Sequence, residues 1–118
     1  HWMSLQACYR RSAYFEYYED DFAIFYEAKE MFLFDLNEKL LHMLLNLLKI
    51  KATINYTESY EPGYLVMKDY RQSISSKKES AFPQKPYYQL FEDRHGFLKN
   101  LSIVDLLFNQ GPQSVNYL

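Results

Sequence analysis

The chain has 118 residues, of which 48% are hydrophobic and 24% charged, the balance of one soluble globular domain. Lys and Arg number 13 against 15 Asp and Glu, and this formal charge of −2 gives no general attraction to nucleic acid or to an anionic membrane. An aromatic content of 19%, with only 3 Gly and 4 Pro, excludes disordered and low-complexity sequence.

The cysteine content and the apolar runs bear on the compartment. The single cysteine, Cys8, cannot close an internal disulfide, which favours a reducing cytoplasm. His42 and Asn46 interrupt the leucine-rich stretch, so no run approaches the roughly 20 apolar residues that span a bilayer. The chain opens without a starting Met or a charged-then-apolar leader. We therefore expect a cytoplasmic protein without a membrane span, and a piece cut from a longer chain.

The first half of the chain has helical periodicity. Apolar residues three or four positions apart over residues 2–11 predict an amphipathic helix. The acidic group at residues 19–21 is typical of a helix N-terminus, so a helix is expected from about residue 20 to residue 34. Asp35 and Glu38 have the spacing of a capping box, which predicts a helix over residues 35–49. Its expected buried stripe is Leu36, Leu40, Met43, Leu44, Leu47 and Leu48.

The middle of the chain predicts short strands between turns. Residues 52–57 alternate apolar and polar positions with β-branched side chains, a pattern typical of a half-buried strand. A turn at residues 61–63, a helix over 68–74 and a surface loop over 75–86 follow. Residues 87–91 predict a second strand, which can pair with the first. The expected fold class is α+β, an α-rich single domain over residues 1–118 with a few short strands.

The C-terminal part carries clear helix boundary signals. A turn is expected at residues 93–96, and Ser102 is positioned to cap a helix from about residue 102. Gly111 is expected to end that helix. Pro112 then suits the first position of a final short helix through Tyr117.

Established site motifs are absent from the sequence. His1, His42 and His95 are far apart and none has a second His or Cys nearby, so no metal site is predicted. The sequence contains neither a glycine-rich phosphate loop nor a Gly-x-Ser-x-Gly nucleophile elbow, and no cofactor is expected.

Candidate chemistry concentrates around the turn before the C-terminal helix. A carboxylate near His95 could orient its ring for acid–base catalysis, although a histidine that bonds to turn backbone is the plainer interpretation. Asp105 is a candidate buried catalytic acid, or alternatively the third-position partner of the Ser102 cap. Tyrosine rings suit sugar C–H faces, although core packing or a subunit contact explains them as well. The candidate substrate-binding residues are Tyr88, Gln89, Asn100 and Asn109.

One stretch has a sequence resemblance to a known family. Residues 87–111, YYQLFEDRHGFLKNLSIVDLLFNQG, closely resemble the C-terminal signature of the WbqC-like family. Three upstream stretches are similar to the middle region of that family and occur in the same order: His1-Trp2, residues 14–22 (YFEYYEDDF) and residues 32–37 (FLFDLN). The resemblance covers essentially the whole chain and implies the C-terminal portion of a WbqC-like protein.

The resemblance implies a function in bacterial surface-polysaccharide (O-antigen) biosynthesis, because some genes of the family lie in O-antigen clusters. Transfer of an amino acid such as glycine onto the glycan has been suggested for the family. The family has no established catalytic residue that could be assigned to a position in this chain.

Two classes of function follow. One is a transferase acting on a carbohydrate and an activated amino acid, in which His95 deprotonates the acceptor while Gln89 or Asn100 holds it. The other is a non-catalytic module whose aromatic surface binds glycan, a partner subunit or a second copy of the chain. No nucleic-acid partner is expected.

Overall fold

The structure is a computed structural model that describes residues 1–60, 62, 68–71 and 82–118. The chain divides into two compact units, one formed by residues 1–51 with 84–118 and the other by residues 52–83. The first unit contains α1 (Trp2–Tyr9), α2 (Phe15–Glu27), α3 (Leu33–Leu47), α4 (Glu92–His95), α5 (Ile103–Gln110) and a C-terminal 3₁₀ helix (Gly111–Tyr117). Within the described ranges, none of the helices combines the length and the apolar character needed to cross a membrane.

An aromatic cluster forms the core of the first unit. Phe108 of α5 is fully buried, and its ring centroid lies 5.1 Å from that of Phe15 and 5.2 Å from that of Phe22, both in edge-on contact. Tyr18 is buried in the same core, and Leu48 joins it from the end of α3. Edge-on ring pairs contribute about 0.5–1.5 kcal/mol beyond their buried area. Part of the high aromatic content therefore serves the packing of α2 against α5.

The start of α2 differs from the prediction. The helix begins at Phe15 because Phe15, Tyr18 and Phe22 recur at helical spacing and face the core. The acidic group at residues 19–21, expected to open a helix at residue 20, therefore lies in the middle of α2. The helix also ends at Glu27 rather than at residue 34.

The start of α3 also differs. The helix begins at Leu33 with Phe32 as its cap residue, and no side chain caps it. Asp35 lies in the first turn, where a carboxylate still favours the positive end of the helix dipole, so its predicted role as cap is wrong. Four of the six residues of the predicted leucine stripe lie in the core or pack against it: Met43, Leu44, Leu47 and Leu48.

The boundaries of α5 confirm the prediction. Ser102 is the cap residue, and its Oγ accepts a hydrogen bond from the Val104 backbone N–H at 3.3 Å. Gly111 ends the helix with a φ of 56°, a left-handed value that glycine adopts without steric cost. Pro112 then lies in the first turn of the 3₁₀ helix.

The predicted α+β class is wrong, because the residues that the structure describes contain helices and no strand. Residues 52–57 have no regular secondary structure. Near residues 87–91, the Leu98 backbone forms its hydrogen bonds with the Gln89 side chain and not with a paired strand. The Gln89 Nε2 donates to the Leu98 carbonyl and its Oε1 accepts from the Leu98 backbone N–H, both at 2.8 Å. An alternating pattern shows that a segment can be extended, but a strand also requires a partner segment in register.

The second unit is described in part. Asp69 accepts hydrogen bonds from the guanidinium of Arg71 and from the Arg71 backbone N–H, which lower the pKa of the Asp69 carboxyl to about 2. The Arg71 guanidinium carbon lies 5.3 Å from the centroid of the Tyr60 ring. Residues 68–71 are not helical, which contradicts the start of the predicted helix over 68–74. Residues 72–74, the loop at 75–80 and most of the turn at 61–63 lie outside the described residues.

Candidate functional site

A pocket of about 710 Å³ opens on the first unit, a volume within the range of about 300–1,000 Å³ that is usual for small-molecule sites. One wall comes from α1 and the two residues that follow Tyr9, and the other comes from residues 90–94. We call it the arginine pocket. Its lining residues are Met3, Gln6, Ala7, Cys8, Arg10, Arg11, Leu90, Phe91, Asp93 and Arg94.

The charge of the arginine pocket is predominantly positive. Its lining includes three arginines, Arg10, Arg11 and Arg94, and one acidic residue, Asp93. All four residues are exposed, and none of the three arginines forms an ion pair within the described part of the chain. Each guanidinium therefore keeps its N–H donors available for a ligand, and these donors match the oxygens of carboxylates and phosphates in paired hydrogen bonds.

The turn after α1 positions the first two arginines. The Arg10 backbone N–H donates to the Gln6 carbonyl at 3.0 Å and closes the helix. The Ser12 backbone N–H and its Oγ both donate to the Tyr9 carbonyl, at 2.8 and 2.7 Å, which turns the chain directly after Arg11. The Gln6 side chain donates to the Glu19 carboxylate at 3.0 Å and joins α1 to α2. The orientation of this wall is therefore fixed by contacts with the core helices.

The single turn of α4 positions Arg94. The Glu92 carboxylate accepts a hydrogen bond from the Gln89 backbone N–H at 3.2 Å, at the start of the turn. The Gly96 backbone N–H donates to the Glu92 carbonyl at 2.8 Å and closes it. Gly96 has a φ of 65°, a left-handed value favoured by glycine, and the helix ends there.

A buried polar cluster lies in the same unit. Asp105 is 5% exposed, and its two carboxylate oxygens accept hydrogen bonds from the Tyr9 hydroxyl at 2.9 Å and from the Tyr87 hydroxyl at 2.7 Å. The carboxylate thereby joins α5 to the end of α1 and to the segment before α4. Hydrogen bonds to a charged group are stronger than neutral ones, so this cluster stabilises the arrangement of both walls of the arginine pocket.

Burial raises the pKa of both hydroxyls in this cluster. The pKa of Tyr87 rises to about 12 because of burial and its hydrogen bond to Asp105, partly offset by a hydrogen bond with Gln89. Burial first, and then the negative charge of Asp105, raise the pKa of Tyr9 well above its ordinary value of 10.0. Both hydroxyls thus remain protonated donors at neutral pH, as a stable hydrogen-bonded cluster requires.

The structure brings three of the sequence candidates together. Gln89 contacts Tyr87, which donates to Asp105, and the Asn109 side chain donates from Nδ2 to the Asp105 carbonyl at 2.8 Å. All three are buried. The Oδ1 atom of Asn109 is buried without a hydrogen-bond partner among the described residues. These contacts hold the fold together, and the catalytic role of Asp105 stays a prediction.

The other three candidates are exposed. His95 is the last residue of α4, Tyr88 is 58% exposed, and Asn100 adopts a left-handed φ of 59°. The Asn100 backbone N–H donates to the Gln84 side chain at 2.6 Å. None of the three belongs to the lining of the arginine pocket as described, and their proposed roles stay predictions.

Sequence reasoning missed the three arginines of the pocket. A net charge of −2 describes the whole chain and conceals a local group of cations. Arg10 and Arg11 are adjacent in the sequence, which is a weak signal in itself. Their convergence with Arg94 depends on a contact between distant parts of the chain, which no local pattern reveals.

The first unit is helical, and it carries a pocket that is lined by three arginines and has the volume of a small-molecule site. The model of the WbqC-like protein family matches residues 1–68. This range is more than half of the chain, so the chain belongs to the WbqC-like family. It includes the similar stretches at residues 14–22 and 32–37 but not residues 87–111, so the predicted extent of the resemblance is corrected. No curated protein and no solved structure matches the chain.

Proposed function

We propose that the protein acts in bacterial surface-polysaccharide (O-antigen) biosynthesis, as a transferase that places an amino acid such as glycine on a sugar. Membership of the WbqC-like family supports the pathway. The arginine pocket is the observation that favours a transferase over a protein with a purely structural role, because it has the volume of a small-molecule site. Its lining also includes the aromatic residue Phe91 beside charged and amide residues, which can contact the apolar and the polar groups of a sugar.

The segment from residue 87 to residue 109 is proposed as one wall of the site. It supplies Leu90, Phe91, Asp93 and Arg94 to the pocket. His95 follows directly in the sequence and is exposed, so it is proposed to take the proton from the acceptor hydroxyl or amine as the acyl bond forms and the leaving group departs.

Other residues of the segment have supporting roles in this proposal. Tyr88 and Asn100 are exposed on the segment and are proposed to contact the acceptor. Gln89, Asp105 and Asn109 are buried and are proposed to position this wall.

The test is a transfer assay with the purified protein, an activated glycine donor and an acceptor glycan. His95→Gln and Phe91→Ala should each lower the transfer rate at least about tenfold, equivalent to about 1.4 kcal/mol, without changing the melting temperature. Matched controls are His42→Gln and Phe82→Ala, exposed residues outside the pocket lining that should leave the rate unchanged. Wild-type rates in both pocket-side variants would contradict the proposed site, and no transfer by the wild-type protein would contradict the proposed reaction.

A second candidate function is a non-catalytic module that binds a glycan, a partner subunit or a second copy of the chain. It is favoured by three consecutive apolar residues before and at the start of α3, because Met31 is 85%, Phe32 62% and Leu33 71% exposed. Exposed apolar patches often mark interaction surfaces. Light scattering tests the homo-oligomer: if this surface pairs, the protein is larger than a monomer and Leu33→Ser reduces the measured mass. Acceptor binding without turnover would favour this candidate over the transferase.

A further inference from the structure

We propose that the arginine pocket binds the phosphate group of a phosphorylated sugar, an inference that rests on the proposed function for the sugar part. The observation behind it is the convergence of Arg10 and Arg11 on one wall with Arg94 on the other. An anion between the walls would receive hydrogen bonds from both sides.

The charges of the pocket favour a dianion. Three arginines face one aspartate, and a phosphate monoester carries a charge of about −1.5 to −2 at neutral pH. A carboxylate ligand, with a single negative charge, would leave part of this positive charge unmatched. The planar guanidinium fork also matches two phosphate oxygens at a time.

The remaining space in the pocket favours an organic group attached to the phosphate. The volume of about 710 Å³ is much larger than one phosphate needs, and Met3, Leu90 and Phe91 add apolar surface. The flat ring of Phe91 suits the C–H face of a sugar. A phosphorylated sugar has both chemistries. Its source is either a free sugar phosphate or a nucleotide-linked sugar, since both carry a phosphate on the sugar.

The position of the arginines within the fold supports a preorganised site. Arg10 and Arg11 lie on a turn fixed by Ser12, and Arg94 lies in a helical turn closed at Gly96. Hydrogen bonds hold the backbone on both walls, so the backbone next to the arginines is already ordered before an anion binds. Less ordering on binding leaves more of the interaction energy for affinity.

Isothermal titration calorimetry of the purified protein tests this proposal. The probes are glucose 1-phosphate, UDP-glucose, inorganic phosphate and uncharged glucose, each at low and at moderate salt. We expect glucose 1-phosphate or UDP-glucose to bind at least about tenfold more tightly than glucose, with the affinity falling as salt rises. The tighter of the two phosphorylated probes identifies the source. Binding of glucose as tight as that of both phosphorylated probes would overturn the phosphate site. Binding of inorganic phosphate as tight as that of both phosphorylated probes would overturn the sugar part.

Arginine variants separate the pocket from general electrostatics. Arg94→Gln and Arg10→Gln should each weaken the binding of the tighter phosphorylated probe at least about tenfold. Arg94→Lys keeps the positive charge but loses the paired guanidinium N–H donors, so its affinity should lie between those of wild type and Arg94→Gln. Lys29→Gln removes the same charge from an exposed position outside the pocket lining and should leave the affinity unchanged. Circular dichroism confirms that each variant is folded. An equal loss in Lys29→Gln and Arg94→Gln would contradict a specific site.

The outcome is independent of turnover. Arginine-dependent binding without amino-acid transfer would contradict the proposed transferase and support the phosphate site. Transfer that persists at the wild-type rate without any arginine-dependent binding would overturn the phosphate site and leave the proposed transferase supported.

Discussion

Replacing Asp105 by Ala should destabilise the protein by about 3 kcal/mol, because the substitution removes the acceptor of two hydrogen bonds in the buried polar cluster. Asp105 is 5% exposed and Tyr87 is 5% exposed, so water cannot easily replace the bond between them. Tyr9 is only half-buried, and water can satisfy its hydroxyl at smaller cost. The predicted loss therefore comes mainly from the Tyr87 side.

The magnitude follows from the two contacts. An orphaned buried hydroxyl costs about 1–3 kcal/mol, and the lost bond to Tyr9 adds about 1 kcal/mol. Removing the buried carboxylate returns part of its own desolvation cost, which limits the total. Asp105→Asn keeps one acceptor oxygen, and its amide can donate to the other hydroxyl, so this variant should lose only about 1 kcal/mol.

Urea unfolding followed by circular dichroism measures these differences. Tyr87→Phe should cost about 1–2 kcal/mol, and the double variant with Asp105→Ala should cost less than the sum of the two, since both substitutions remove the same bond. Tyr88→Phe is the matched control, because Tyr88 is adjacent in the sequence and 58% exposed, and its effect should stay within about 0.5 kcal/mol. A free energy of unfolding for Asp105→Ala within that same margin of wild type, or strict additivity in the cycle, would refute the reasoning.

Three further predictions concern stability and use the same unfolding measurement. Ser102→Ala should lower the free energy of unfolding by about 1 kcal/mol because Ser102 caps α5. Asp35→Ala should change it by no more than about 0.5 kcal/mol because Asp35 does not cap α3. Equal losses in the two variants would contradict the observed helix starts. Gly111→Ala should cost at least about 2 kcal/mol, since φ is 56° and the new Cβ would overlap the Tyr14 ring; a neutral result would mean that this approach is looser than described. The free energy of unfolding should fall as the pH rises from about 10 to about 12, because the pKa of Tyr87 is raised from 10.0 to about 12 in the folded state. The unfolded chain therefore loses the Tyr87 proton at a lower pH than the folded chain does. The stabilisation from this pKa shift is complete only below about pH 10. Tyr87→Phe should reduce this alkaline loss, and an unchanged pH profile would count against it.

Local signals in the sequence predicted the end of the chain well. Ser102, Gly111 and Pro112 act through hydrogen bonds and dihedral angles of neighbouring residues, so their effects can be read without knowing the fold. The acidic group at residues 19–21 gave a wrong helix start because carboxylates also occur within helices, where Asp20 is exposed and Glu19 accepts a hydrogen bond from the Gln6 side chain. The spacing of Phe15, Tyr18 and Phe22 decided where α2 begins.

The predicted strands and the missed pocket share one physical cause. Both depend on contacts between distant segments, whereas composition and periodicity describe one segment at a time. The Gln89 side chain, rather than a second strand, satisfies the Leu98 backbone. The two tyrosine partners of Asp105 could not be inferred either, because Tyr9 lies at the other end of the chain.

The amino-acid content of the surface polysaccharide tests the proposed function most directly. The polysaccharide would be purified from cells that carry Arg94→Gln in the chromosomal gene and analysed by mass spectrometry beside wild type and Lys29→Gln, at equal protein levels. We predict that the aminoacyl substituents fall at least about tenfold in Arg94→Gln and remain at wild-type levels in Lys29→Gln. A polysaccharide from Arg94→Gln cells with its full complement of aminoacyl groups would contradict the assignment of the arginine pocket to polysaccharide biosynthesis.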